Sequence, residues 1–426
     1  MVGKIRNLAE KYGAAGAVKM IGRYLVRSAE AGLGPGPADR RSAEELLLEI
    51  REGSWERLVL RRGSFGWHTA LFQRAQQLAR AMAARDCLVL YEAAPPHDRV
   101  RGAEKLDERL WLVNLRSPGL KRALERAASG SGKPRYLHVA SPEGRLSAKL
   151  VRRYAEEGWT ILYDYIDAID PAISAARRVS RGTRELYRFC MAHTKACVIA
   201  SSRLLQRDAE KKRGEAIPLV ENGVDCSLFF TPGPCPEDPA FRALLRRGRP
   251  VVCYYGALAR WLDYEALRAV AADGRFSLLL IGVKYDGSFD KALGGRDNVC
   301  FLGERPYAKL KDYAGRCDVL LIPFQKGIVG DAASPVKLFE YFALAKPVVA
   351  GDTAECRRYD SVVIASGAKA YPAAVERALA LGRDPAYLAA ERREALAADW
   401  RCRAETLCAY LRRREGKEGG SGTSPA

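Results

Sequence analysis

Ser334-Pro335-Val336-Lys337-Leu338-Phe339-Glu340-Tyr341-Phe342-Ala343-Leu344-Ala345-Lys346-Pro347-Val348-Val349-Ala350 reads as a helix running directly into a buried strand. Ser334 suits an N-cap, Pro335 suits the first helical turn, and Lys346-Pro347 ends the helix before the apolar strand begins. At about 100° per residue the helix is apolar nearly all round, yet Lys337 and Glu340 share one sector of it. Charges on a buried helix need partners, because burying them unpaired is costly. Two readings meet that need. Lys337 and Glu340 pair with each other at i, i+3 on a partly exposed helix. Alternatively, the free N–H groups, the macrodipole and Lys337 hold a diphosphate, and Glu340 accepts hydrogen bonds from sugar hydroxyls.

Outward from this stretch, strands are predicted over 251–255, 276–281, 299–302, 319–323, 347–350 and 362–365, alternating with helices. The same rhythm occupies the upstream half, over 58–60, 87–91, 109–114, 135–139, 160–165 and 195–200, with a helix over 71–85. A Pro/Gly-rich stretch, 231–239, separates the two series. The prediction is an α/β fold of two Rossmann-like, doubly wound parallel-sheet domains facing a cleft. The first domain is placed at 55–235 and the second at 236–385. Helices over 386–415 are expected to cross back to the first domain, ahead of a disordered tail at 416–426. Residues 1–54 form a basic helical extension with a Gly/Pro linker at 32–37 and a short helix at 43–52. The amphipathic 1–31 segment suits docking on the protein body or on an anionic membrane surface.

A chain of 426 residues with 48% hydrophobic and 28% charged residues suits two globular domains. No apolar run is long enough for a transmembrane helix, and the N-terminus lacks a secretory pattern. The eleven cysteines are scattered without a C-x-x-C pair, and the four histidines are spread apart. Neither a disulfide framework nor a metal site is expected, and a reducing cytoplasm fits, with peripheral attachment to the inner membrane face as an option. The net charge of +19 favours anionic partners, although an Arg-rich host composition explains part of it. Nucleic acid is disfavoured, because the basic residues are spread over every segment with no aromatic–basic motif.

The 334–350 string resembles the donor-site helix of family-four retaining glycosyltransferases of GT-B architecture. Gly63-Ser64-Phe65-Gly66-Trp67 with 71–79, Tyr163-Asp164-Tyr165-Ile166-Asp167, Ala200-Ser201-Ser202 and Glu221-Asn222-Gly223-Val224-Asp225 resemble a teichuronic-acid-type subgroup. Tyr255-Gly256-Ala257-Leu258, Leu280-Ile281-Gly282, Phe301-Leu302-Gly303 and 318–324 continue the likeness, in order, over roughly 55–400. The resemblance implies transfer of a sugar from a nucleotide-diphosphate-sugar to a sugar, lipid-linked or polymer hydroxyl, in cell-surface polysaccharide or glycoconjugate synthesis. It makes 55–235 the acceptor side and 236–385 the nucleotide-sugar side, with no resident cofactor.

On the donor side it implies diphosphate contacts from Ser334, Pro335, Lys337 and backbone at Gly256 and Gly282. Arg260 is a second candidate cation or a solvated loop cation, and the Gly303–Arg305 loop a seat for the base or simply a turn. Glu340 takes the donor sugar or ribose. The family often carries a second Glu eight residues earlier; Ala332 stands there, and neighbouring Asp331 is the candidate replacement. Asp164 and Asp167 end a first-domain strand, where α/β folds place functional groups, and Asp167 is the candidate for orienting or deprotonating the acceptor hydroxyl. Capping of the next turn is its plainer role. Gly66 is a candidate acceptor-side residue. Phe65 and Trp67 are candidates for an apolar or sugar-stacking acceptor wall, with buried packing the plainer role for such aromatics. Asn222 is a candidate cleft residue at a turn between domains. No Asp-x-Asp occurs, so the metal-dependent GT-A arrangement is not expected. A non-hydrolysing sugar-nucleotide epimerase and a decayed basic scaffold at a membrane surface are the competing functions.

Overall fold

The computed structural model describes residues 37–69, 72–95, 97–143, 146–171 and 178–416. The expectations for 1–31, for most of the linker and for the tail beyond Gly416 lie outside these residues. Each sheet grows from short, near-continuous apolar runs that are buried on both faces, as parallel strands covered by helices must be. In the first domain β1 (Arg57–Arg61), β2 (Cys87–Glu92), β3 (Ala103–Asp107), β4 (Leu110–Val113), β5 (Arg135–Ala140), β6 (Thr160–Tyr165) and β7 (Cys197–Ala200) lie in the order β3-β4-β2-β1-β5-β6-β7. In the second, β8 (Val251–Tyr255), β9 (Ser277–Ile281), β10 (Val299–Phe301), β11 (Val319–Ile322), β12 (Val348–Gly351) and β13 (Val362–Ala365) lie in the order β10-β9-β8-β11-β12-β13. All pairings are parallel except β3 on β4. Both sheets are doubly wound, and each reverses direction beside its first strand, where such folds bind ligands.

Three local differences from the sequence have physical causes. β3, Ala-Glu-Lys-Leu-Asp, has no apolar run; it pairs antiparallel at the sheet edge with its charges outward, which blunts the edge. The first described helix begins at Pro37 rather than near 43, with Asp39 in its first turn favouring the N-terminal dipole. The helix expected over 71–85 is Arg74–Ala83, started by a reciprocal Gln73–Gln76 cap.

The chain passes between domains twice, and the two passages bind each other. Val224 N–H donates to Ala398 O and Trp400 N–H to Val224 O, each at 3.0 Å. Gly223 is required by this approach, since a Cβ there would lie 2.3 Å from Ala398 O. Helix Pro385–Ala397 packs on helix Val336–Ala343, whereas helix Trp400–Arg414 packs on Arg74–Ala83 in the first domain. Buried Arg57 of β1 anchors that last segment through Glu415 at 3.1 Å and also pairs with Asp86 at 2.7 Å. Among the described residues, no helix is long and apolar enough to cross a membrane.

Candidate active site

A cavity of about 300 Å³ opens between the domains. The second domain supplies most of its wall, through the ends of β8 and β9, the loop before helix Tyr307–Ala314 and the start of helix Val336–Ala343. Phe72 and Gln73 close it from the first domain.

The helix tip faces this space uncapped. Pro335, not Ser334, occupies the N-cap position, and Pro335 offers no side-chain acceptor to the first-turn N–H groups. Ser334 faces the other domain. Its Oγ accepts the Asn222 N–H at 3.2 Å, and its carbonyl accepts Asn222 Nδ2 at 2.5 Å. Ser334, Pro335, Val336 and Lys337 all line the cavity.

Lys337 and Glu340 do not pair. Lys337 Nζ lies 5.6 Å from the Tyr254 ring centre and 5.0 Å from that of Phe324, with no ion-pair partner among the described residues. Burial lowers its pKa, against the pull of Glu340. Glu340 is buried and accepts the Tyr255 hydroxyl at 2.6 Å and the Tyr307 hydroxyl at 2.8 Å. Burial raises its pKa, opposed by those two bonds and by Lys337. A carboxylate has about four acceptor sites, so two remain for a ligand.

Gly256 and Gly282 end β8 and β9 with φ of 141° each, and both line the cavity. A Cβ on Gly282 would fall 1.9 Å from Gly256 O. Only glycine allows these two strand ends to run side by side beneath the helix tip. Gly303 supports them from behind, its carbonyl accepting Gly282 N–H at 2.9 Å; it is not part of the wall, although Glu304 and Arg305 are.

Several candidates stand elsewhere than expected. Arg260 is exposed and outside the wall; its backbone N–H donates to Asp286 at 3.0 Å, and Trp261 reaches the cavity instead. The Arg305 guanidinium is committed to Asp238, the Tyr313 hydroxyl and Leu302 O, so it does not present a free face to a base. Asp331 does not line the cavity where the missing Glu would act; its oxygens accept the N–H groups of Gly327 at 3.1 Å and Ala354 at 2.9 Å. Ala332 is buried against the first-domain core. Trp67 is a packing residue rather than an open wall: it is 7% exposed and meets Phe72 and Tyr91 edge-on at 5.3 Å. Gly66 lies behind it, its carbonyl accepting Gln76 Nε2 at 3.1 Å.

Asp164 is an ion-pair partner. Arg74 grips both its oxygens, at 2.8 and 2.9 Å, and reaches on to Glu221 O at 3.0 Å and Asn222 Oδ1 at 3.3 Å. Burial alone would raise the Asp164 pKa, but Arg74 and His138 outweigh it and hold the carboxyl well below its usual range. Asp167 is half-buried and does not line the cavity. Its backbone N–H donates to Ser141 Oγ at 3.1 Å, while burial and then the Asp164 charge push its pKa up to about 6. Asp164, Arg74, Asn222 and Ser334 thus form one hydrogen-bonded line from the β6 end to the helix tip.

The second domain also has named relatives. Residues 249–381 match the family described as glycosyl transferases, group 1. A 226-residue stretch is 25% identical to the putative teichuronic acid biosynthesis glycosyltransferase TuaH of Bacillus subtilis (strain 168), covering 50% of this chain and 56% of that protein. The chain thus spans little more than half the length of that relative. Sucrose-phosphate synthase from Thermosynechococcus elongatus superimposes with a TM-score of 0.59 at 19% identity, over 85% of this chain and 100% of that one. HepE of Anabaena, solved with UDP-glucose, gives 0.57 at 16% identity, over 84% of this chain and 100% of that one. The fold is therefore the GT-B architecture of two Rossmann-like domains facing a cleft.

Phe72, Gln73, Arg74, Gln77, Tyr255 and Tyr307 were not candidate site residues in the sequence, although 71–79 and Tyr255 lie in the stretches that carry the family likeness. A signal was present for Tyr255, a polar aromatic ending the apolar run Val-Val-Cys-Tyr-Tyr directly before Gly256. Asp98 was also missed. It accepts the N–H groups of Trp67, His68 and Ala94 at 3.0, 2.8 and 2.8 Å and so fixes the 63–69 loop.

Proposed function

We propose that the protein transfers a sugar from a nucleotide-diphosphate-sugar to a hydroxyl acceptor, with retention at the anomeric carbon and without a metal ion. The observation that carries this is the uncapped 336–343 helix tip, with Lys337 beside it, opening into a cavity floored by Gly256 and Gly282. Backbone N–H groups, a helix dipole and an ammonium group converge there, which is what a leaving diphosphate requires. The fixed dipoles need no reorganisation as charge develops on the leaving group. As the anomeric C–O bond to the diphosphate breaks, the acceptor oxygen forms the new bond on the same face.

Asp167, beyond the β6 end of the acceptor domain and outside the cavity wall, is the group we propose to orient the acceptor hydroxyl and take its proton as the acceptor enters from that side. With its pKa raised to about 6, it is mostly ionised at neutral pH yet basic enough for that task. The two free acceptor sites of Glu340 hold donor hydroxyls. Retention and metal independence are supported by the likeness to family-four enzymes. A cell-surface polysaccharide or glycoconjugate acceptor is supported by the name of the Bacillus relative. Peripheral attachment to a membrane through the basic 1–31 segment belongs to the same reading.

The test is turnover of a panel of nucleotide-sugars with chelator present, products being identified by mass spectrometry. Transfer to an added acceptor supports the proposal. An isomerised donor with no acceptor product would identify an epimerase, and absence of any saturable diphosphate binding would identify a scaffold.

A further inference from the structure

The helix Arg74–Ala83 of the acceptor domain is linked to the donor helix twice, each time through an intermediate residue. Arg74 reaches its tip through Asn222 and Ser334. One turn later, Gln77 points into the second domain. It is 2% exposed, and its Nε2 donates to the Tyr307 hydroxyl at 3.0 Å. That hydroxyl donates onward to Glu340 Oε1 at 2.8 Å, while Tyr255 holds Oε2 at 2.6 Å. Tyr307 is also clamped by rings from both sides, Phe72 at 5.8 Å and Phe229 at 5.5 Å between centres. Each bond in such a chain polarises the next, and away from water a break in it is costly.

We propose that Gln77 and Tyr307 form an interdomain relay that orients Glu340 toward a ribose hydroxyl of the donor, so that docking of the acceptor domain completes the nucleotide site. This rests on the nucleotide-sugar reading above. Both are positioning residues: Tyr307 acts through Glu340, and Gln77 through Tyr307. The relay divides the donor site by function. The helix tip and Lys337 address the diphosphate, whereas the relay addresses only the part of the ligand that carries hydroxyls. A residue that merely stabilised the fold would affect both parts alike.

Titration calorimetry on the full chain separates these cases, using UDP, ADP, GDP and inorganic pyrophosphate as probes. The variants are Gln77→Leu, which keeps volume without the donor group, Tyr307→Phe, which keeps the ring, and the pair. The expected result is a roughly 3- to 10-fold weaker Kd for the preferred nucleoside diphosphate in Gln77→Leu, the scale of one lost hydrogen bond. Pyrophosphate binding should be unchanged, and the pair should be no weaker than Tyr307→Phe alone, because both substitutions cut the same chain. Nucleoside diphosphate binding equal to wild type, or equal losses for nucleotide and pyrophosphate, would overturn the relay while leaving the donor reading intact. A wild-type chain that binds none of the nucleotides would overturn both.

Discussion

Arg74→Met is the most informative perturbation of the acceptor side. Arg74 is 4% exposed and Asp164 2% exposed, and two hydrogen bonds of 2.8 and 2.9 Å join them. Met fills similar space but leaves Asp164 as a buried carboxylate with His138 Nε2, at 3.5 Å, as its remaining ion-pair neighbour among the described residues. Breaking a buried pair from one side costs about 3–5 kcal/mol. For a domain of this size that is a fall of roughly 10 °C in the unfolding midpoint of the first domain. The pH dependence fixes the cause. In the wild type the Asp164 pKa is depressed, so its contribution is present above the unfolded value of about 3.9 and is lost as pH falls. In the variant, burial acts without Arg74 and raises the pKa above the unfolded value. The penalty is then full at neutral pH and shrinks as acid protonates the carboxyl. Thermal unfolding at pH 7.5 and pH 5 (chosen to be about one to four units above the unfolded value) should show the gap between the two proteins narrowing. Adding Asp164→Asn should recover much of the loss at neutral pH. A gap that does not narrow, or a double variant as unstable as Arg74→Met, would refute the buried-charge account.

Lys337→Ala should lower kcat by roughly 30- to 1,000-fold, about 2–4 kcal/mol, if the ammonium stabilises the departing diphosphate; single-turnover kinetics checks it. Gly282→Ala should abolish nucleotide binding, since its Cβ would lie 1.9 Å from Gly256 O on a backbone at φ 141°. Calorimetry read beside the melting curve of the second domain separates lost binding from lost fold. If Asp167 takes the acceptor proton, the wild-type rate should rise with pH through about 6, where its carboxyl ionises. Asp167→Asn should lose that limb of the profile and most of the turnover, and full activity in the variant would remove Asp167 from the mechanism.

What the sequence could show depended on how local the cause was. Parallel strands are written as continuous apolar runs, so twelve of the thirteen described strands were readable from composition, and the charged edge strand β3 was not. Glycines that let backbones approach at strand ends, Gly256 and Gly282, were visible because the residue type itself carries the constraint. Side-chain partners across the domain boundary were not. Ser334 looks like a cap in one dimension, yet the Asn222 backbone, 112 positions away, claims its oxygen. Asp331 looks like a substitute ligand, but it stands outside the cavity wall, on the N–H groups of Gly327 and Ala354. Arg305 looks like a stacking surface until Asp238, 67 positions earlier, folds back onto it.

The same distinction explains why the helix that opens the question carries two charges it does not pair. A Lys337–Glu340 bridge would neutralise both groups and leave the tip with no cation to offer. Instead Glu340 is supplied with two tyrosine hydroxyls from outside its own helix, and Lys337 is held between aromatic faces that attract a cation without neutralising it. Keeping the two apart costs stability, since burial moves both pKa values toward the neutral forms. Such a cost persists where a ligand recovers it: a diphosphate at the tip would favour the charged form of Lys337 that burial disfavours, and ribose hydroxyls would add to the bonds on Glu340. It follows that nucleoside diphosphate should raise the unfolding midpoint of the second domain more in the wild type than in Lys337→Met, where the strain is already relieved. Equal ligand-induced shifts in the two proteins would show that the unpaired lysine serves the fold alone.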